Sequence, residues 1–266
     1  MLYNAKEKKL RLSDTEIDYI SFGRGEKALI MIQGLNTCSI KGAALPLAYA
    51  YRIFAKDYTV YLFDRRPDVY DGITVRDFAR DIAEAMDKLG IKSADVIGVS
   101  QGGMIAQYLA IDRPKLVRRL VLAVTLSKNT DTVQQVIERW IELTQKGEMR
   151  ELVTDMAERM YSPAYLRRYK PLLPLLTLLQ KPKDTERFTI LARSALTCNA
   201  YDELEGISCP TLVIGGKEDK VIGAGASEAL ADKLGCELYL YEGLGHAAYE
   251  EAKDFNSRML AFLQKH

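Results

Sequence analysis

Residues 95–110 read DVIGVSQGGMIAQYLA, an apolar run that halts at Ser100 and resumes beyond two glycines with helical spacing. A short, continuously apolar segment followed by a 3.6-residue period describes a buried strand feeding a helix. Ser100 stands at the junction. Two roles compete for it. A serine at a helix start commonly caps it by accepting backbone N–H bonds, and a serine on a tight strand-to-helix elbow is also how a nucleophile is displayed. The stretch alone does not choose between them.

Working outward, the same alternation of strand and helix recurs. Upstream, Val75, Phe78, Ala79, Ile82, Met86 and Leu89 recur at three and four residues, Thr74 with Asp77 forms a capping-box pattern, and Gly90 ends the helix. Before it, ALIMI (28–32) and TVYLF (59–63) read as buried strands joined by a crossover helix within 43–55, and residues 8–22 read as a hairpin around SDT. Downstream, LVRRLVLAV (116–124), TLVIGG (211–216) and CELYLY (236–241) are strands, with helices over 224–234 and near 251–264. Such alternation predicts an α/β fold, a mostly parallel, doubly wound sheet. The interval 127–205 breaks the beat. It holds TVQQVIERWIELTQ, MRELVTDMAERMY and a proline-punctuated leucine run, all helical in pattern, and predicts an inserted all-helical cap on a core of 1–126 and 206–266.

The chain has 266 residues, 48% of them hydrophobic, enough for one substantial core with an insertion. Lys plus Arg number 37 against 36 Asp plus Glu, so no net field draws it to nucleic acid or anionic lipid, and the short basic runs read as solvated faces. Cys38, Cys198, Cys209 and Cys236 are scattered without a CxxC pair, which fits reduced thiols in the cytoplasm. The N-terminus shows no apolar signal region, and PLLPLLTLL (171–179), the most apolar run, is too short to cross a bilayer. No GxGxxG follows a strand, no Walker A pattern is complete, and no His/Cys spacing suits zinc, so no metal, nucleotide or other cofactor is expected.

In an open parallel sheet reactive groups gather at the carboxyl ends of the strands. Gly98-Val-Ser100-Gln-Gly102 is a G-x-S-x-G elbow in that position. A serine hydroxyl needs a base, most often histidine. Only His246 and the terminal His266 exist, and a chain end holds no fixed geometry, which leaves His246 in the loop after strand 236–241. The loop GGKEDK after strand 211–216 offers Glu218 and Asp219 to orient that histidine, Asp219 being favoured. The oxyanion formed on attack needs two donors: Gln101 N–H follows the serine, and Leu35 N–H in IQGLN, after the strand at 28–32, is the second candidate.

With the elbow, the GGKED acid loop, the GLGH histidine loop and the order serine, acid, histidine in place, the chain resembles the α/β-hydrolase fold superfamily, capped serine hydrolases in particular, over nearly its whole length. The resemblance implies a Ser100, His246, Asp219 triad, an oxyanion hole from Leu35 and Gln101, and a substrate cavity beneath residues 127–205. Trp140, Met156, Met160 and the leucines within 172–179 are candidates to line it, although packing of the cap onto the core accounts for them equally well. Two departures stand out. Relatives commonly carry His-Gly where this chain has Gln33-Gly34, which places Gln33 as a candidate determinant of pocket shape or polarity. After the fourth strand, in DRRPDVYDG, Arg65 and Arg66 are expected to pair with Asp64 or Asp68 rather than to reach the pocket mouth. The activity so implied is cofactor-free hydrolysis of a small to medium apolar ester through an acyl-enzyme. Carbon–carbon bond hydrolysis, lyase or haloperoxidase-like chemistry on the same triad, and a low-turnover ligand receptor, are the alternatives.

Overall fold

The computed structural model describes residues 2–169 and 181–265. Its eight strands are β1 (Lys6–Arg11), β2 (Glu16–Gly23), β3 (Lys27–Ile32), β4 (Tyr58–Phe63), β5 (Ala94–Val99), β6 (Val117–Ala123), β7 (Thr211–Gly216) and β8 (Glu237–Tyr241). They form one sheet in the order β1-β2-β4-β3-β5-β6-β7-β8, antiparallel at β1/β2 and β2/β4 and parallel at the other five pairings. The sheet is therefore mostly parallel, as the alternating pattern predicts, and β5 with its serine lies inside it, paired on both sides.

The helices described are α1 (Ala44–Ala50), α2 (Val75–Lys88), α3 (Gln101–Asp112), α4 (Asp131–Gln145), α5 (Met149–Met160), α6 (Pro163–Tyr169), α7 (Thr185–Ala195), α8 (Ala226–Leu234), α9 (Ala248–Glu251) and α10 (Phe255–Leu263). Successive side chains of a strand point to opposite faces, and both faces here are covered. Val96, Leu120, Leu122 and Val213 enter one cluster with Phe78 and Ile82 of α2 and Ile105 of α3. Their neighbours Ile97, Val121, Leu212 and Ile214 enter a second with Phe54 and with Phe255 and Met259 of α10. This two-sided burial is why β5 reads as apolar sequence apart from one charge; each buried apolar side chain contributes about 1.5–3 kcal/mol relative to exposure. Its one charge, the fully buried Asp95, is met by Arg118 at 2.8 and 2.7 Å and by the Tyr58 hydroxyl at 2.8 Å.

The capping box at Thr74 and Asp77 is formed in both directions, and Gly90, at φ 70°, terminates the turn after α2. Two helical expectations are modified. The segment 43–55 leaves the α-helix at Tyr51 and continues as a 3-10 turn, Arg52–Phe54, which turns Phe54 fully into the core. The C-terminal helix is split, because Ala252 adopts an extended conformation between α9 and α10.

Between β6 and β7 the described residues carry α4 to α7 and a 3-10 turn, Tyr201–Gly206, with no strand among them. The two ends of this insertion are held together by the Lys128–Asn199 bridge and the Ala200 N–H donating to Ser127 O at 2.7 Å. The leucines at 172–179 and His266 lie outside the described residues. Among the described residues no helix is long and apolar enough to cross a membrane.

Candidate active site

Ser100 does not cap α3 with its side chain. It sits at φ 54°, ψ −123°, a left-handed conformation that a non-glycine residue adopts only when its surroundings enforce it. The enforcement is visible: Ser100 N–H donates to Ala123 O at 2.8 Å, and Ser100 O accepts from Thr125 Oγ1 at 2.7 Å and from Gly103 N–H at 2.8 Å. The glycines of the elbow are required by close approach. A Cβ on Gly98 would come within 2.5 Å of Gly102 O, and one on Gly102 within 2.0 Å of Ile32 O.

So displayed, Ser100 Oγ lies 2.9 Å from His246 Nε2, and His246 Nδ1 lies 2.7 Å from Asp219 Oδ2. Asp219 and His246 are both buried, whereas Ser100 is half-exposed. The second oxygen of Asp219, Oδ1, accepts from the N–H groups of Val221 at 2.8 Å and Ile222 at 3.0 Å. The carboxylate is thus locked at both ends, while Glu218 projects into solvent. With Nδ1–H donated to Asp219, the tautomer left at Nε2 is an acceptor for the serine hydroxyl.

The loop after β3 approaches the same point. A Cβ on Gly34 would lie 3.1 Å from Ser100 Cβ and 3.7 Å from Ser100 Oγ. Among the described residues neither Leu35 N–H nor Gln101 N–H is engaged in a backbone hydrogen bond, so both donors are free. The Gln101 side chain points the other way, donating to Leu191 O at 2.6 Å and Ser194 Oγ at 3.1 Å on α7.

A narrow cavity of about 60 Å³ opens on Ser100 and His246. Trp140, Met156 and Met160 line it, together with Leu35, Val133 and Ile137. Trp140 is fixed by its Nε1–H, which donates to Asp155 at 2.8 Å, and Asp155 also accepts from Arg159. Gln33 is a correction: Gly34 and Leu35 line the cavity and Gln33 does not, because its carbonyl is drawn to Arg65 Nη2 at 2.6 Å and its side-chain amide is buried. Arg66 is a second. It pairs with neither Asp64 nor Asp68 but bidentately with Asp81, at 2.9 and 2.7 Å, and with Asp14, at 2.9 and 3.0 Å. Tyr249, which sequence reasoning passed over, also lines the cavity; burial pushes its phenol well above its ordinary pKa, so it remains neutral. A larger groove of about 730 Å³ between α2 and α3 shares no residue with this site, and its charges are spent on ion pairs such as Arg76–Asp112.

The insertion is bolted to the site's own loops. Ala247 N–H, next to the histidine, donates to Met160 O at 2.8 Å, and Glu251 accepts from Ser162 N–H at 2.8 Å and Ser162 Oγ at 2.5 Å. Among the described residues no group of His, Cys, Asp and Glu is arranged to hold a metal ion.

The model of the alpha/beta hydrolase family matches residues 42–258. The chain is 28% identical over 227 residues to a dihydrolipoyllysine-residue acetyltransferase component of an acetoin cleaving system from Cupriavidus necator, covering 83% of this chain but 58% of that protein. It is 22% identical over 263 residues to 3-oxoadipate enol-lactonase 2 from Acinetobacter baylyi, covering 96% of each. A crystal structure of a hydrolase from Pseudomonas aeruginosa superposes with a TM-score of 0.83 at 25% identity, covering 98% of this chain and 99% of that one.

Proposed function

Since the chain belongs to the alpha/beta hydrolase family, we propose that it is a cofactor-free serine hydrolase that cleaves a small to medium apolar ester, open-chain or lactone, through an acyl-enzyme on Ser100. The observation that carries the reading is the unbroken path Ser100 Oγ, His246 Nε2, His246 Nδ1, Asp219 Oδ2, with spans of 2.9 and 2.7 Å, ending on a serine held at positive φ. The lactone arm rests on the likeness to an enol-lactonase.

In the first half-reaction Ser100 Oγ bonds to the carbonyl carbon as its proton passes to His246 Nε2, and Asp219 stabilises the imidazolium. The carbonyl oxygen becomes an oxyanion facing Leu35 and Gln101 N–H. Collapse breaks the bond to the leaving oxygen, which takes the proton from Nε2. In the second half, water loses a proton to the same nitrogen and attacks the acyl carbon. The acid departs, and the proton returns to Ser100 Oγ. The insertion 127–205 serves as a cap that excludes bulk water and shapes the acyl pocket. A cavity of about 60 Å³ holds only a few waters, so substrate enters by displacing the flexible Met156 and Met160 side chains.

A fluorophosphonate probe tests this. The wild type should be labelled, and Ser100→Ala and His246→Ala should not; labelling that persists in Ser100→Ala overturns the assignment. Among labelled proteins, turnover of p-nitrophenyl esters from acetate to octanoate should peak at short to medium chains. Labelling without turnover of any of them would move the reaction to carbon–carbon hydrolysis or another chemistry of the same triad.

A further inference from the structure

Arg65 is nearly fully buried, and among the described residues its Nε and Nη1 have no hydrogen-bond partner. A guanidinium ordinarily meets carboxylates at both edges when taken from water. This one makes a single side-chain bond, Nη2 to Gln33 O at 2.6 Å, and lies against the Phe78 ring with its carbon 5.5 Å from the centroid. Its surroundings hold it in place. Arg65 O accepts from Arg187 Nη2 at 3.2 Å, and Arg187 Nη1 also donates to the carbonyls of Arg66 and Pro67. The preceding residue, Asp64, grips the same loop further along: its Oδ2 accepts from Ile40 N–H at 3.0 Å, and its Oδ1 from Asn36 Nδ2 at 3.4 Å. Residues 33–40 contain no helix or strand of their own, so two adjacent residues at the end of β4 suspend the loop from both ends. That loop passes Ser100 at contact distance through Gly34.

We propose that Arg65 is a positioning residue of the oxyanion hole, its guanidinium drawing the Gln33 carbonyl back so that the next residues present Leu35 N–H toward the carbonyl oxygen attacked by Ser100. The proposal rests on the serine-hydrolase reading above. It accounts for a buried guanidinium whose one side-chain hydrogen bond goes to a peptide oxygen of the donor loop rather than to a carboxylate, the nearby Asp64 and Asp81 favouring its charge without bonding it directly.

The test is the rate of phosphonylation by a fluorophosphonate, whose phosphoryl oxygen occupies the oxyanion position, in wild type, Arg65→Lys, Arg65→Met and Ser100→Ala. Arg65→Met should react about 10- to 100-fold more slowly, on the scale of weakening one oxyanion donor, and Arg65→Lys by less, since an ammonium still reaches one carbonyl. KM for a p-nitrophenyl ester should stay within a few-fold. Affinity for a trifluoromethyl ketone, which mimics the tetrahedral adduct, should fall by the same factor as kcat/KM. A merely structural arginine would lower thermal stability and leave that proportionality absent. Should Arg65→Met fail to fold, Arg65→Lys carries the comparison, with a several-fold loss expected at near wild-type melting temperature. Labelling of Arg65→Met, or of Arg65→Lys where it stands alone, within twofold of wild type overturns the inference, as does slower labelling with unchanged ketone affinity. Labelling that survives in Ser100→Ala overturns the hydrolase reading itself, so the two failures are distinguishable.

Discussion

Replacing Asp219 by asparagine exchanges one oxygen for an NH2 group and should nearly abolish turnover without unfolding the protein. The native carboxylate uses Oδ1 for the N–H groups of Val221 and Ile222 and Oδ2 for His246 Nδ1. The introduced amide can keep its oxygen on the two backbone donors, which places its NH2 against His246 Nδ1. A donor there requires Nδ1 to accept, so the imidazole proton moves to Nε2 and faces Ser100 Oγ 2.9 Å away. A protonated Nε2 cannot take the serine proton. The corresponding change in serine proteases lowers kcat about 10⁴-fold, which at 1.36 kcal/mol per decade is about 5 kcal/mol of lost transition-state stabilisation. Asp219→Ala adds a stability cost, because it leaves two buried N–H groups and an imidazole unpaired, at about 1–3 kcal/mol each. The assay is kcat with a p-nitrophenyl ester beside urea-unfolding midpoints for both variants. Asp219→Asn should be inactive and nearly as stable as wild type, and Asp219→Ala inactive and several kcal/mol less stable. Retention of a tenth or more of wild-type kcat by Asp219→Asn would refute the reasoning.

Trp140→Ala should widen the cavity beside Met156 and shift the best kcat/KM in a p-nitrophenyl ester series toward longer acyl chains, while costing about 3–5 kcal/mol of stability by thermal melt. Gly102→Ala would drive a methyl to 2.0 Å from Ile32 O and 2.6 Å from Gln33 O; kcat should collapse and the melting temperature fall, read by ester turnover and calorimetry. Burial, and then the hydrogen bond to Asp95, push the Tyr58 phenol well above its ordinary pKa of 10.0. Its folded-state pKa exceeds the unfolded one, so its contribution is complete below about pH 10 and is lost as pH rises beyond. Urea midpoints measured between about pH 8 and 11 should therefore fall less steeply for Tyr58→Phe than for wild type.

The placements legible in the sequence have two causes, local backbone chemistry and composition. Ser100 and Asp219 sit in glycine-bearing turns immediately after apolar strands, and His246 was reachable by elimination because one internal histidine exists. Of the cavity wall, Trp140, Met156 and Met160 stood out in the helical patterns of the inserted segment, whereas Val133 and Ile137, which share the face of α4 with Trp140, did not. Tyr249 did not either, because α9 spans four residues and carries no period. The partners of Arg66 escaped for another reason. Asp81 and Asp14 lie 15 and 52 residues away in sequence, and only the docking of α2 beside the β1–β2 turn brings them together. Gln33 was a candidate because relatives commonly carry histidine there; the bond its carbonyl accepts from Arg65, 32 residues later, is not written in the local sequence.

The bolts between insertion and core bear on how such a protein diversifies. Gln101 on the elbow holds α7, Ala247 beside the histidine holds the end of α5, and Glu251 holds Ser162. The inserted segment is therefore tied to residues next to Ser100 and His246, the nucleophile and base of the proposed reaction. A transplanted segment that offers no carbonyl where Met160 has one, and no counterpart of Leu191 O and Ser194 Oγ, would leave Ala247 N–H and Gln101 Nε2 without acceptors and let the loops bearing His246 and Ser100 drift. Substrate range in this lineage should thus change more readily by single substitutions inside the existing segment than by exchange of the whole segment, and any successful chimaera must carry these anchor positions across with it.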